Sequence, residues 1–175
     1  GCSCCLNKSF YFDKVISCVE YTEISKKIVF GLKYNNKTYL SKYIATIMKE
    51  KLDLENIKFD YILFVPLHKK RLRQRGFNQA ELLAKERSRD AGIPVDTAIL
   101  KKCHATRSQK KLDAAERKKN LQKAFQVVGN PAGMRILLID DVYTTGSTMD
   151  VLAKLLLEKG ASHVYFLTLC IGNNR

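Results

Sequence analysis

The chain reads as an α/β domain built on a mainly parallel sheet, and three observations carry that reading. Residues 61–65 (YILFV), 135–139 (RILLI) and 163–169 (HVYFLTL) are apolar runs of the kind that form strands covered on both faces. Between them lie segments of helical period, so strands and helices alternate along the chain. No internal repeat interrupts this order, and no linker is long enough to split it.

The elements follow in order. Residues 1–9 are Cys-rich and irregular. Residues 15–21 (VISCVEY) alternate loosely and predict a strand. Residues 24–31 predict a short helical turn ending at Gly31. Tyr39, Leu40, Tyr43, Ile44, Ile47 and Met48 recur at helical spacing, with Lys42, Lys49 and Glu50 opposite, which predicts an amphipathic helix over 37–52. Pro66 ends the strand at 61–65. Asn78 has the chemistry to cap a helix running to Arg89, which Asp90, Ala91 and Gly92 stop. Residues 97–100 predict a short strand. Residues 101–112 (KKCHATRSQKKL) lack periodicity and read as a loop, and Asp113 and Glu116 have capping-box-like spacing for a helix to Lys123. After the strand at 135–139 come a loop, a helix over 148–159 closed by Gly160, and the strand at 163–169.

Length and composition bound the rest. The 175 residues suit one domain, with residues 10–175 as its body and 1–9 as a separate Cys-rich piece. A 46% hydrophobic content argues against disorder. No run of about 18 apolar residues occurs, so no membrane-spanning helix is expected, and the first residues show no secretory pattern. The 6 cysteines are unevenly spaced and do not form a disulfide framework, so a reducing, cytoplasmic setting is expected. The net charge of +14 suits a polyanionic partner. It is concentrated: residues 68–123 hold 17 Lys or Arg against 6 Asp or Glu. Solvated helix faces and a phosphate or nucleic-acid site would both produce that density, so motifs have to separate them.

The most informative motif is residues 136–149, ILLIDDVYTTGSTM. An apolar strand delivers Asp140 and Asp141 to its C-terminal end, the edge at which open α/β sheets bind ligands. Thr144, Thr145, Gly146, Ser147 and Thr148 then turn into a helix. The glycine permits close backbone approach, the hydroxyls donate hydrogen bonds, and a helix N-terminus favours an anion. One loop thus offers a phosphate cradle beside carboxylates able to accept from sugar hydroxyls, and a phosphorylated ribose carries both groups. A nucleotide P-loop pattern is absent from the sequence.

This string resembles the phosphoribosyl-pyrophosphate (PRPP) signature of type I phosphoribosyltransferases. A second segment, VPLHKKRLRQRGFNQA from Val65, resembles the ComF family, the competence-associated branch of that superfamily. Ser108, Gln109, Lys110, Lys111 and Leu112, with Arg117, Asn120 and Phe125, fit the same family's pattern. The resemblance implies a type I phosphoribosyltransferase fold with a mobile hood over the site. It implies that Asp140 and Asp141 hold the ribose hydroxyls and that Thr144 to Thr148 wrap the 5′-phosphate. It implies a pyrophosphate loop at Leu67, His68 and Lys69, with Lys69, Arg71 or Arg75 on the leaving group. The hood would bring Arg107, Lys110 or Lys111 onto pyrophosphate, and Mg²⁺ would enter with PRPP rather than on protein ligands.

Cys2 and Cys5 form one C-x2-C pair, half of the four-ligand set a structural zinc needs. They are the zinc candidates, as the tail of the zinc module that ComF-like proteins carry, and zinc is not expected to bind this chain. Three functions remain open: a phosphoribosyltransferase with an unassigned acceptor, associated with DNA uptake; a competence protein that contacts single-stranded DNA and retains a PRPP site without catalysis; and a nucleobase salvage enzyme. Competence machinery and a second copy of the chain are further candidate partners.

Overall fold

A computed structural model describes residues 9–20, 22–34, 39–104 and 114–172. Four strands form one sheet: β1 (Lys14–Glu20), β2 (Tyr61–Phe64), β5 (Arg135–Tyr143) and β6 (His163–Ile171). Their order is β1-β6-β5-β2, and every pairing is parallel. Val95 adds a parallel bridge outside β2, on Ile62. Two short strands, β3 (Leu100–Lys102) and β4 (Phe125–Val127), pair antiparallel to each other apart from this sheet.

Six helices complete the described fold: α1 (Glu23–Tyr34), α2 (Leu40–Glu55), α3 (Lys69–Arg75), α4 (Gln79–Ala91), α5 (Ala114–Ala124) and α6 (Ser147–Glu158). From Ile136 to Ile139 the side chains of β5 alternate between two cores, as the two-residue strand period requires. Ile136 and Leu138 pack with Leu152 and Leu156 of α6 and with Leu121 and Phe125. Leu137 and Ile139 pack with Ile44, Met48 and Leu52 of α2 and with Leu83 and Ala84 of α4. Both faces are covered, which is why β5 could be recognised as an unbroken apolar run.

Several elements depart from expectation, each for a physical reason. α1 runs through Gly31 to Tyr34 instead of stopping. Glycine inside a helix costs only about 1 kcal/mol, and reciprocal hydrogen bonds between Thr22 and Ser25 secure the N-terminus. α2 runs to Glu55 and ends at Asn56, which adopts the left-handed conformation with φ 48°. The basic stretch after Pro66 is helical from Lys69: the His68 ring accepts from the Lys70 amide and caps α3, and Gly76 at φ 80° ends it. β3 starts at Leu100, later than the expected 97–100, and β4 has too few residues to carry a visible alternation. β5 continues through both acids to Tyr143, because β6 extends alongside it: Asp140 pairs with Thr168 and Tyr143 with Ile171. Among the described residues no helix is long and apolar enough to cross a membrane. Cys2 and Cys5 lie outside the described residues, as do the hood candidates Arg107, Lys110 and Lys111.

Candidate active site

The parallel register brings three chain segments to one edge of the sheet. Val65 follows β2 and donates its amide to the Ile139 carbonyl at 3.0 Å, so residues 65–68 leave the sheet directly beside Asp140. On the other side of β5, Thr168 of β6 stands in register with Asp140.

Because strand side chains alternate, the adjacent acids face opposite sides of the sheet. Asp140 continues the face of Ile136 and Leu138, and its carboxylate accepts from the Asp141 amide at 2.8 Å. Asp141 continues the face of Leu137 and Ile139. It is 4% exposed, and its Oδ2 accepts from Gln79 Nε2 at 3.0 Å. Gln79 is the first residue of α4, so the positive end of that helix also favours the carboxylate. Asn78 organises the junction twice over. Its Oδ1 caps α4 by accepting from the Ala80 amide, and its Nδ2 donates to the Val65 carbonyl at 3.1 Å. The segment from Gly76 to Ala80 thereby ties the end of β2 and the start of α4 to the acid of β5.

The turn at 144–148 forms a small recess on the Asp140 face, lined by Asp140, Tyr143, Thr144, Gly146, Thr148 and Met149 among others. Gly146 is required there for two reasons. Its φ is 76°, and a Cβ added to it would sit 2.6 Å from the Tyr143 hydroxyl. Gly146 is the N-cap of α6 and offers no side-chain cap, and the Ser147 amide donates instead to Thr145 Oγ1 at 3.4 Å. Thr145 Oγ1 and Ser147 Oγ lie 3.0 Å apart and pre-order the rim.

A larger cleft of about 530 Å³ opens on the α3 side, lined by Leu67, Lys69, Leu72, Glu81, Lys101 and Lys102 among others. Lys102 was not anticipated. It lies on β3 with Nζ 5.0 Å from the centre of the Phe125 ring. Burial pulls its ammonium below the usual lysine range, the charge of Arg71 pulls further, and Asp140 opposes both. Lys102 thus feels both the positive charge of Arg71 on α3 and the negative charge of the recess acid. The only sequence signal for it was its membership of a basic pair in a segment read as loop. Lys69 and Arg71 are exposed, Leu67 and His68 are partly buried, and the side chain of Arg75 is outside what the structure describes.

The rest of the positive density is partly neutralised. On α4, Lys85 pairs with Glu81 at 2.7 Å and Arg89 with Glu86 at 2.8 Å. Two of its three cations therefore belong to a mixed, solvated face. Among the described residues, no group of three His, Cys, Asp or Glu is arranged to hold a metal.

Comparison with known proteins agrees with this architecture. Residues 77–175 match the family model described as phosphoribosyl transferase domain. The chain is 32% identical over 174 residues to DNA utilization protein YhgH of Salmonella typhi, covering 97% of this chain and 77% of that protein. It is 30% identical over 171 residues to competence protein F of Haemophilus influenzae, covering 93% of this chain and 75% of that one. Among solved structures, glutamine PRPP amidotransferase from B. subtilis superimposes with a TM-score of 0.55 at 18% identity. That likeness covers 78% of this chain and 30% of the other, and shows the fold alone. The chain has the type I phosphoribosyltransferase fold and belongs to the phosphoribosyl transferase domain family, in the branch that includes competence protein F and DNA utilization protein YhgH.

Proposed function

We propose that this protein binds PRPP at the C-terminal edge of β5 and transfers its phosphoribosyl group to an acceptor, releasing pyrophosphate. The observation that carries the reading is the recess at 144–148: a glycine of positive φ, a set of hydroxyls and the start of helix α6, with the Asp140 carboxylate in its wall. That combination suits a phosphate next to a sugar diol.

In this reading the 5′-phosphate takes the backbone N–H groups and hydroxyls of Thr144 to Thr148. Asp140 accepts from the ribose hydroxyls. Asp141, held by Gln79, fixes the strand end and adds negative potential behind the ring. Lys69, Arg71 and Lys102 face the diphosphate, and Arg107, Lys110 or Lys111 would join them. The anomeric carbon loses its bond to pyrophosphate and gains one to the acceptor nucleophile, whose proton passes to solvent. Positive charge develops on the ribose ring during this exchange, where the paired carboxylates favour it. The donors around the recess are hard oxygens, a carboxylate and hydroxyls, which fit a magnesium ion carried in by the diphosphate. That ion would supply charge neutralisation for the leaving group.

A role in DNA uptake or use rests on the names of the relatives. The pairing of Lys85 and Arg89 with acids on α4 favours small-molecule phosphate recognition over a continuous nucleic-acid face. Calorimetric titration of PRPP with Mg²⁺ tests the site: the wild type should bind and Asp140→Ala should not. An absence of wild-type binding overturns the reading. Pyrophosphate release across a panel of nucleobase and amine acceptors tests transfer, and salt-dependent single-stranded DNA binding that survives Asp140→Ala would favour the non-catalytic alternative.

A further inference from the structure

A second cleft, of about 500 Å³, lies at the opposite edge of the sheet. Its walls come from the end of α2, residues 57–59, the second half of α4 and Arg135, the first residue of β5. We propose that it is a second ligand site, which takes a small molecule bearing one anionic group, a phosphate ester or a carboxylate, on a partly apolar body.

Arg87 carries the argument. It sits on α4, lines the cleft and is only 6% exposed. Its Nη2 lies 3.7 Å from Asp53 Oδ1, too far for a hydrogen bond. The other oxygen of Asp53 is taken by Lys49 Nζ at 2.9 Å. Among the described residues, Arg87 Nε and Nη1 are shut from solvent and have no hydrogen-bond partner. A buried guanidinium needs both its charge and its N–H groups answered; here the charge is met only by a long ion pair to an exposed acid, and two N–H groups have no acceptor. Nη2, the guanidinium nitrogen that is not sealed from solvent, can donate to an oxygen of a ligand anion. A ligand anion would take the place that Asp53 Oδ1 fills loosely, leaving Asp53 to Lys49.

The surroundings define the rest of the ligand. Ile57, Phe59 and Ile93 supply an apolar wall, and the volume is in the range of small-molecule pockets, larger than a bare oxyanion needs. Arg135 is already answered by Asp60, at 2.6 Å and 3.1 Å. Lys58 is exposed, so Arg87 is the one buried, under-compensated cation among the described cleft residues. A second negative charge on the ligand would meet Asp53. Diphosphates and nucleic acid are therefore disfavoured, and the site is distinct from the one at Asp140. It is also independent of the PRPP reading, since it shares no residue with that edge.

The test uses two probes with one ring, phenyl phosphate and benzoate, titrated into the whole protein. Calorimetry and thermal stabilisation should show saturable binding of at least one, and the preferred probe identifies the anion. Backbone amide resonances of Ile57, Phe59 and Ile93 should shift with the preferred probe, whether or not phenyl phosphate also shifts those of Thr144 to Thr148. Arg87→Met should weaken binding by about tenfold or more, and Asp140→Asn should leave it unchanged. The apo Arg87→Met protein should melt no lower than the wild type, since it loses a buried charge that Asp53 compensates only at long range. No binding of either probe to the wild type overturns the proposal. So does unchanged affinity in Arg87→Met, or resonance shifts confined to Thr144 to Thr148. If Arg87→Met fails to fold, the amide shifts of the wild type alone decide.

Discussion

Gln79 Nε2 donates to Asp141 Oδ2 at 3.0 Å, joining residues 62 positions apart in the sequence. This bond connects the segment Gly76 to Ala80, whose own chemistry is not obvious, to the acidic pair at the end of β5. It explains why a glutamine follows the capping asparagine at the start of α4. The acid nearer the helix layer is held in place, and the acid on the other face is left to line the recess.

Replacing Gln79 by Leu should therefore affect both stability and binding. Taking a hydrogen-bond donor from a buried carboxylate costs about 1–3 kcal/mol, so the urea midpoint should fall and PRPP affinity should drop with it. Asp140→Ala, at a half-buried position, should instead lose PRPP binding while changing stability by less than about 1 kcal/mol. If both variants behave alike in unfolding and calorimetry, the division of labour between the two acids is wrong.

Gly146→Ala should be destabilising through two separable causes. A non-glycine residue at φ 76° is strained, by about 1 kcal/mol, and the added methyl meets the Tyr143 hydroxyl at 2.6 Å. Adding Tyr143→Phe removes the hydroxyl contact but not the backbone strain. Thermal melts should show partial recovery in the double variant. Full recovery, or none, would contradict this account.

Lys102→Met should weaken PRPP binding by about tenfold, and Lys102→Arg should retain most of it. The depressed ammonium of Lys102 gives a further signature. A diphosphate binds the protonated form, so affinity falls as pH rises through the folded-state value, which lies below the ordinary lysine value. The wild type should lose affinity at a less alkaline pH than Lys102→Arg. Identical pH profiles for the two proteins would remove Lys102 from the site.

Asp60 offers a test of the sheet's other end. Its hydrogen bonds from the Arg135 guanidinium, and next from the Arg135 amide, hold its carboxyl down to about 2, from the usual 3.8. A depressed acid stabilises the fold at pH values above the unfolded value and loses that contribution as pH falls through the folded one. Asp60→Asn should accordingly melt lower than wild type at neutral pH. The gap should close as pH drops from about 4 to about 2, and a gap constant down to pH 2 would mean that the loss does not come from the ionised Asp60–Arg135 pair.

What could be seen in the sequence was the part that local chemistry dictates. The apolar runs at 61–65, 135–139 and 163–169 are strands because both their faces are covered, and that leaves an uninterrupted hydrophobic signature. Asn78 and Gly92 bound α4 because capping is a matter of a few neighbouring residues. Family membership was legible in the same way, from the acids and hydroxyls of ILLIDDVYTTGSTM and from RGFNQA.

Tertiary structure alone decided what depends on partners far along the chain. The period of two in β5, extended past Ile139 by pairing with β6, turns Asp140 and Asp141 to opposite faces; a loop at the same positions would have left them together. The hold of Gln79 on Asp141, the influence of Asp140 on Lys102 and the long ion pair between Arg87 and Asp53 are likewise consequences of tertiary packing. Residue type and spacing name the chemistry available to a chain, but they carry no distances between segments, and it is those distances that separate an acid lining the recess from a buttressed one.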